Sequence, residues 1–81
     1  MANKLSKVQQ EVVDKMRDGW EMVINYYWDE HYLADWDNEL RQDISLKTHL
    51  VLMRFGVIEY KNTEGHLNVY QLTKKYRNHE G

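Results

Sequence analysis

The sequence predicts an α+β domain in the order helix, β-hairpin, helix, β-hairpin, closed by a short helical turn. Three observations point there. Two stretches of helical apolar spacing each begin at a serine cap and end at a glycine. The aromatic-rich run after the first glycine alternates with period two. Two later strand-like runs flank a short Gly-containing turn.

The elements follow in order. Ser6 and Gln9 have the spacing of a capping box. Val8, Val12, Val13 and Met16 then recur at helical spacing, and Glu11 and Lys15 form a favourable i,i+4 pair. Gly19 suits a left-handed C-terminal cap, so a first helix is expected over Lys7–Asp18. Trp20, Met22, Ile24, Tyr26 and Trp28 alternate with Glu21, Val23, Asn25, Tyr27 and Asp29, the pattern of a strand. Asp29-Glu30 is the expected turn and His31–Trp36 the returning strand. A helix over Glu30–Gln42 competes, because Leu33, Trp36 and Leu40 also fit helical spacing. Asp37–Asp43 is polar and expected as a loop. Ser45 caps a second helix running to Phe55, with Gly56 ending it. Val57–Lys61 and Leu67–Leu72 flank the turn Asn62-Thr63-Glu64-Gly65. Thr73 caps a last helical turn, Lys74–Arg77, and residues 78–81 are expected to fray.

Composition narrows the function classes. The 81 residues make one domain, residues 1–81, and 42% of them are hydrophobic, which is enough for a packed core. There is no cysteine, hence no disulfide and no thiolate metal site. No apolar run approaches the ~18 residues of a membrane span. The polar start Met-Ala-Asn-Lys is not that of a signal peptide. A soluble, cytoplasmic protein is expected. The acidity is concentrated: residues 20–43 carry seven acids and one base, net −6, while the rest of the chain is mildly basic. No nucleophile elbow, phosphate loop or paired-carboxylate spacing is present, so neither an enzyme, nor a cofactor, nor a small-molecule substrate is expected. His31 with Asp29, Glu30 and Asp35 has metal-ligand residue types. Adjacent acids on a strand point to opposite faces, though, and no second histidine is close by in sequence; no metal is expected.

Leu5-Ser6-Lys7-Val8-Gln9, Gly19-Trp20-Glu21-Met22, the series Ile44, Thr48, Leu52, Gly56, Ile58, and the closing pair Leu72-Thr73 together span nearly the whole chain. In this order and spacing they resemble the small winged-helix-like proteins of phages, prophages and bacterial mobile elements, many of which have no assigned function. The resemblance implies a β-hairpin between the two outer helices, a C-terminal hairpin as the wing, and a DNA-binding regulator. One departure is Tyr76, where such proteins often have glycine three residues after the threonine of the Leu-Thr pair.

In a winged helix the helix before the wing commonly enters the major groove. At ~100° per residue, Lys47 and Arg54 share one face of that helix, outward if Thr48, Leu52 and Ile58 pack inward. Lys61 and His66 fall near the expected wing tip, and Lys74, Lys75 and Arg77 just beyond. These residues are candidates for phosphate contacts to double-stranded DNA, and equally ordinary solubilising surface. No cluster on this helix suggests base readout. Leu50 and Val51 flank the same face and make the helix apolar nearly all round. Either the first helix and hairpin cover both sides, or a partner does, most simply a second copy of the chain. The run Tyr26-Tyr27-Trp28, with Tyr32 and Trp36, reads mainly as core. Where its rings are outside, they mark a protein-binding edge, with Tyr27, Tyr32 and Val51 the candidate interface residues. A protein-interaction module, a homodimer included, is therefore the second functional expectation.

Overall fold

A computed structural model describes residues 5–77. The elements are α1 (Lys7–Arg17), β1 (Glu21–Asn25), β2 (Glu30–Asp35), β3 (Leu40–Asp43), α2 (Leu46–Arg54), β4 (Ile58–Glu64), β5 (Leu67–Leu72) and α3 (Lys74–Arg77). The strands make one antiparallel five-stranded sheet in the order β3-β2-β1-β5-β4. The α+β class stands, but a third strand lies between the first hairpin and α2. The expected fraying of residues 78–81 and the polar N-terminal tetrapeptide fall outside the described residues.

The helix ends form as their sequence dictates. Ser6 Oγ accepts from Gln9 N at 3.2 Å, and Gln9 Oε1 accepts from Ser6 N at 2.9 Å, completing the capping box. Ser45 Oγ accepts from Thr48 N at 3.1 Å at the start of α2. Both long helices stop in the same way. In α1, Gly19 N donates to Met16 O and Trp20 N to Lys15 O; in α2, Gly56 N donates to Met53 O and Val57 N to Leu52 O. This paired bonding satisfies carbonyls that the last helical turn leaves free, and it requires a residue with positive φ. Gly19 at φ 107° and Gly56 at φ 74° supply it.

The first hairpin forms as a strand pair, and the competing helix over residues 30–42 does not. Its turn differs from the expected Asp29-Glu30. The Asn25 side-chain oxygen accepts from both Tyr27 N and Trp28 N at 3.1 Å, ending β1 three residues after Met22. The connection is therefore Tyr26–Asp29, with Asp29 at φ 58°. The next connection, Trp36–Glu39, is also four residues long with a left-handed last residue, Glu39 at φ 55°, but its bond is between side chains, Asn38 Nδ2 donating to Asp35 Oδ2 at 2.9 Å. It leads into β3, which corrects the loop expected over Asp37–Asp43. All four residues of β3 are exposed, because it is an edge strand. A strand with water on both faces needs no apolar alternation, and charges along it discourage edge-to-edge pairing. The second hairpin also runs longer than expected. β4 continues to Glu64, with an irregularity between Tyr60 and Asn62, and the turn is Gly65-His66 rather than residues 62–65. Gly65 has φ 63°, the positive value a II′ connection demands at its first position.

Pleating gives the sheet two different faces. Met22, Leu33, Ile58 and Leu72 pack with Val12, Val13 and Met16 of α1 and Leu52 of α2 in the main core, flanked by Trp20, Ile44, Phe55 and Tyr70. Val8, at helical spacing with these, is nonetheless exposed. Thr48, Leu52 and Ile58 point inward as expected. On the other face no helix lies among the described residues, yet Val23, Tyr32 and Ala34 are buried with Leu67 against them. Long polar side chains reach across this face. Arg41 places its guanidinium 4.0 Å from the Tyr32 ring centre. Trp36 Nε1 donates to Glu21 at 2.8 Å, and the Lys61 amine also binds the Glu21 carboxylate. Thr73 then ties the end of the sheet to α2: its hydroxyl donates to Gly56 O at 2.8 Å and its N–H to Val57 O at 2.9 Å.

Gly56→Ala is expected to destabilise the domain by about 1–2 kcal/mol, the cost of forcing a side chain into left-handed backbone. Open space surrounds the position, so no clash adds to it. A urea titration followed by far-UV circular dichroism measures the loss.

Candidate interaction surfaces

α2 buries Thr48, His49 and Leu52 and turns its opposite side to water. On that side Leu46 and Leu50 are 48% and 53% exposed, with Val51 partly exposed at its edge. Lys47 and Arg54 line the same shallow depression as these three residues. Lys47 and Arg54 thus share an outward face, as their spacing predicts. Leu50 is not covered by the first helix or hairpin, which corrects one of the two alternatives for that residue. α2 carries no acidic residue, so this strip is apolar in the middle with one cation near each end.

The other candidate cations are elsewhere. Lys61 lies in mid-strand, at the β4 irregularity, and not at the hairpin tip. Its amine is engaged by Glu21 on the sheet face away from the helices. Lys74 and Lys75 are exposed on α3, which is held to the body by Arg17 Nε donating to Tyr76 O at 3.0 Å. Lys75 stands 5.9 Å from the Tyr76 ring centre. A continuous basic stripe through Lys47, Arg54 and Lys61 does not form, because the sheet separates Lys61 from α2.

His66 does occupy a hairpin tip, and it brings a second surface into view. β1 and β5 are neighbours, and Asn25 pairs with Leu67. The turns Tyr26–Asp29 and Gly65-His66 therefore sit side by side at one end of the sheet. His66 stacks on Tyr27 with ring centres 4.6 Å apart and 25° between planes. Trp28 meets Tyr27 edge-on at 5.1 Å and 86°. Tyr26 Oη donates to Gly65 O at 3.4 Å. Tyr26, Tyr27 and Trp28 remain 57%, 63% and 66% exposed. These rings are not core, which overturns the main reading of that run. Tyr32, a candidate interface ring, is only 7% exposed beneath Arg41. Period two set Tyr27 opposite Tyr26 and Trp28, but all three rings are outside, because residues 26–29 form a turn. That turn was hidden in the sequence, because it depends on the Asn25 side chain and on contact with residue 66.

One titratable group is buried between these surfaces. His49 Nδ1 lies 3.0 Å from Met22 Sδ, and the ring meets Tyr70 edge-on at 4.7 Å. Burial lowers its pKa from the usual 6.5, and the nearby positive charge of His31 when protonated adds to this. His31 itself stands 3.8 Å from Asp29.

Comparison with known protein families, curated proteins and solved structures finds no match for this chain.

Because the folded state resists charging His49, the unfolded chain takes up that proton first as pH falls. The stabilisation from a neutral His49 is complete above the ordinary histidine value and is lost as pH drops through it toward the lower folded value. The urea midpoint is therefore expected to fall between pH 7.5 and pH 5. A His49→Leu variant should show a clearly smaller fall over the same range.

Proposed function

We propose that this domain is a non-catalytic protein-binding module whose working surface is the outer side of α2, and that its partner is an amphipathic segment carrying carboxylates. The observation that carries this reading is the open strip Leu46, Leu50, Val51, flanked by Lys47 and Arg54 on one helix without an acid. Half-exposed leucines at i,i+4 lose water-contacting area when covered, at roughly 25 cal/mol per Å² of apolar surface. The cations at either end favour a partner of opposite charge and disfavour α2 packing on α2 of a second copy, which would bring like charges together. Apolar anchors with a polar rim are the composition of a helix-in-groove contact.

A second reading, a DNA-binding winged-helix regulator, draws on one specific feature. Lys47 and Arg54 lie together on the exposed side of the helix that precedes the last hairpin. It asks phosphates to meet two cations with Leu50 and Val51 between them, in a chain whose residues 20–43 carry net −6.

Fluorescence anisotropy separates the two. The probes are a labelled Leu/Glu amphipathic peptide, the same peptide with lysine for glutamate, and a mixed-sequence duplex at about 50 mM salt, where nonspecific DNA binding is strong. The protein reading expects the acidic peptide to bind best and Leu50→Asp to weaken it about tenfold or more. Equal binding of the lysine peptide overturns it. So does tight duplex binding that Lys47→Glu with Arg54→Glu abolishes and Leu50→Asp does not.

A further inference from the structure

We propose that the aromatic end of the sheet is a second binding site, one that takes a lysine or arginine side chain of a basic peptide segment. Three observations carry it, none of which involves α2. The rings are presented and not merely exposed. Asn25 holds the turn backbone through two hydrogen bonds, Tyr26 is tied to Gly65, and His66 stacks on Tyr27. Rings held in place before binding lose little conformational entropy when a ligand arrives. The perpendicular arrangement of Tyr27 and Trp28 makes a corner of π-surface, and Trp28 is the most exposed of the large apolar side chains among the described residues.

The local charge selects the ligand. The Asp29 carboxylate directly follows Trp28 and is 91% exposed, and Glu64 adjoins Gly65 on the neighbouring turn, while the next acid, Glu30, is paired with Arg41. A ring face attracts a cation through its quadrupole, and a carboxylate beside it adds to the attraction. The same carboxylates repel the phosphates of a single strand that would otherwise stack there.

The third observation is how the chain uses its own cations. Lys15 stands over Trp20 at 4.5 Å, Arg41 over Tyr32 at 4.0 Å and Lys75 over Tyr76 at 5.9 Å. Among the described residues, no lysine or arginine occupies Tyr26, Tyr27 or Trp28. Trp36 and Tyr60 carry no such cation either, but Tyr27 and Trp28 are more exposed than both. They also have the 91% exposed Asp29 carboxylate beside them, 3.8 Å from His31, so this is the ring set best placed for a cation from outside.

The test is an NMR titration of the whole chain, following the Trp28 indole N–H against those of Trp20 and Trp36. The probes are a short Lys/Arg peptide, the same peptide with glutamine at the basic positions, and a single-stranded oligonucleotide. The site predicts shifts at residues 26–29 and 64–66 with the basic peptide alone, weakening as salt is raised. Trp28→Ala and Asp29→Asn should each lower the affinity by about threefold or more, with the resonances of the α1–α2 core unmoved. No shift at millimolar basic peptide overturns the proposal. So do equal shifts with the glutamine peptide, which would make the site merely apolar, or shifts with the oligonucleotide, which would make it a base-stacking surface. Both exposed-turn variants leave the core contacts intact, so a binding loss is read on folded protein.

Discussion

The pairing of β1 with β5 is the contact on which the rest of the structure depends. Every other strand pair joins neighbours in sequence: β1 with β2, β2 with β3, β4 with β5. Such hairpins close small loops and cost little entropy to form. The β1–β5 ladder instead joins residues 22–25 to residues 67–70 and makes one sheet of two local units. Without it, Met22 would not share a core with Leu72, and the helix-free face would lose Val69 beside Val23. The two hairpin turns would not meet either. A two-stranded hairpin such as β4–β5 is marginally stable at best in water by itself. The long-range ladder and the burial of α1 and α2 on one face therefore stand or fall together.

Charge is distributed in a way that composition conceals. The cluster of acids at residues 20–43 is spread over both ends and both faces of the sheet. Glu21 is committed to Lys61 and Trp36, and Glu30 stands 3.6 Å from Arg41. Asp43 likewise holds Arg41 at 3.1 Å. These pairs lie over a face that no helix covers, where the buried Val23, Tyr32 and Ala34 need a lid. The aliphatic stems of arginine and lysine supply one while their charged heads stay in water. Asp29, 3.8 Å from His31, differs in leaving its carboxylate 91% exposed at the aromatic end. The surfaces that remain free of internal duty are thus few: the cation-flanked leucines of α2, and the rings beside Asp29.

Much of the fold was legible because local chemistry decides it. Serine at both caps and glycine at both helix ends act through bonds to residues within a few positions, whereas the Thr73 hydroxyl, expected at the cap of the last turn, donates instead to Gly56 O, 17 residues earlier. The missing strand β3 was not legible for a physical reason. Leu40-Arg41-Gln42-Asp43 has no apolar alternation, and among the described residues it pairs with β2 alone. Its turn uses Glu39 in a left-handed conformation where glycine or asparagine would have announced one. The candidate cations illustrate the same divide. Helical spacing alone places Lys47 and Arg54 on one face. No local pattern tells that Lys61 will cross to Glu21, forty residues earlier, on the far side of the sheet.

By itself the sequence determined the two helices and their ends, the existence of two hairpins, and the outward face of α2. All of these are set by hydrogen bonds and side-chain periods that repeat over a few residues. Only the tertiary structure decided which rings are buried and which are presented. Tyr32 and Tyr27 have the same chemistry and lie five positions apart. One points into the face that Arg41 closes, and the other stands in a turn that β1–β5 pairing sets against His66. Burial is a property of what arrives from the rest of the chain, and that arrival is governed by a long-range strand pair that leaves no trace in the local pattern.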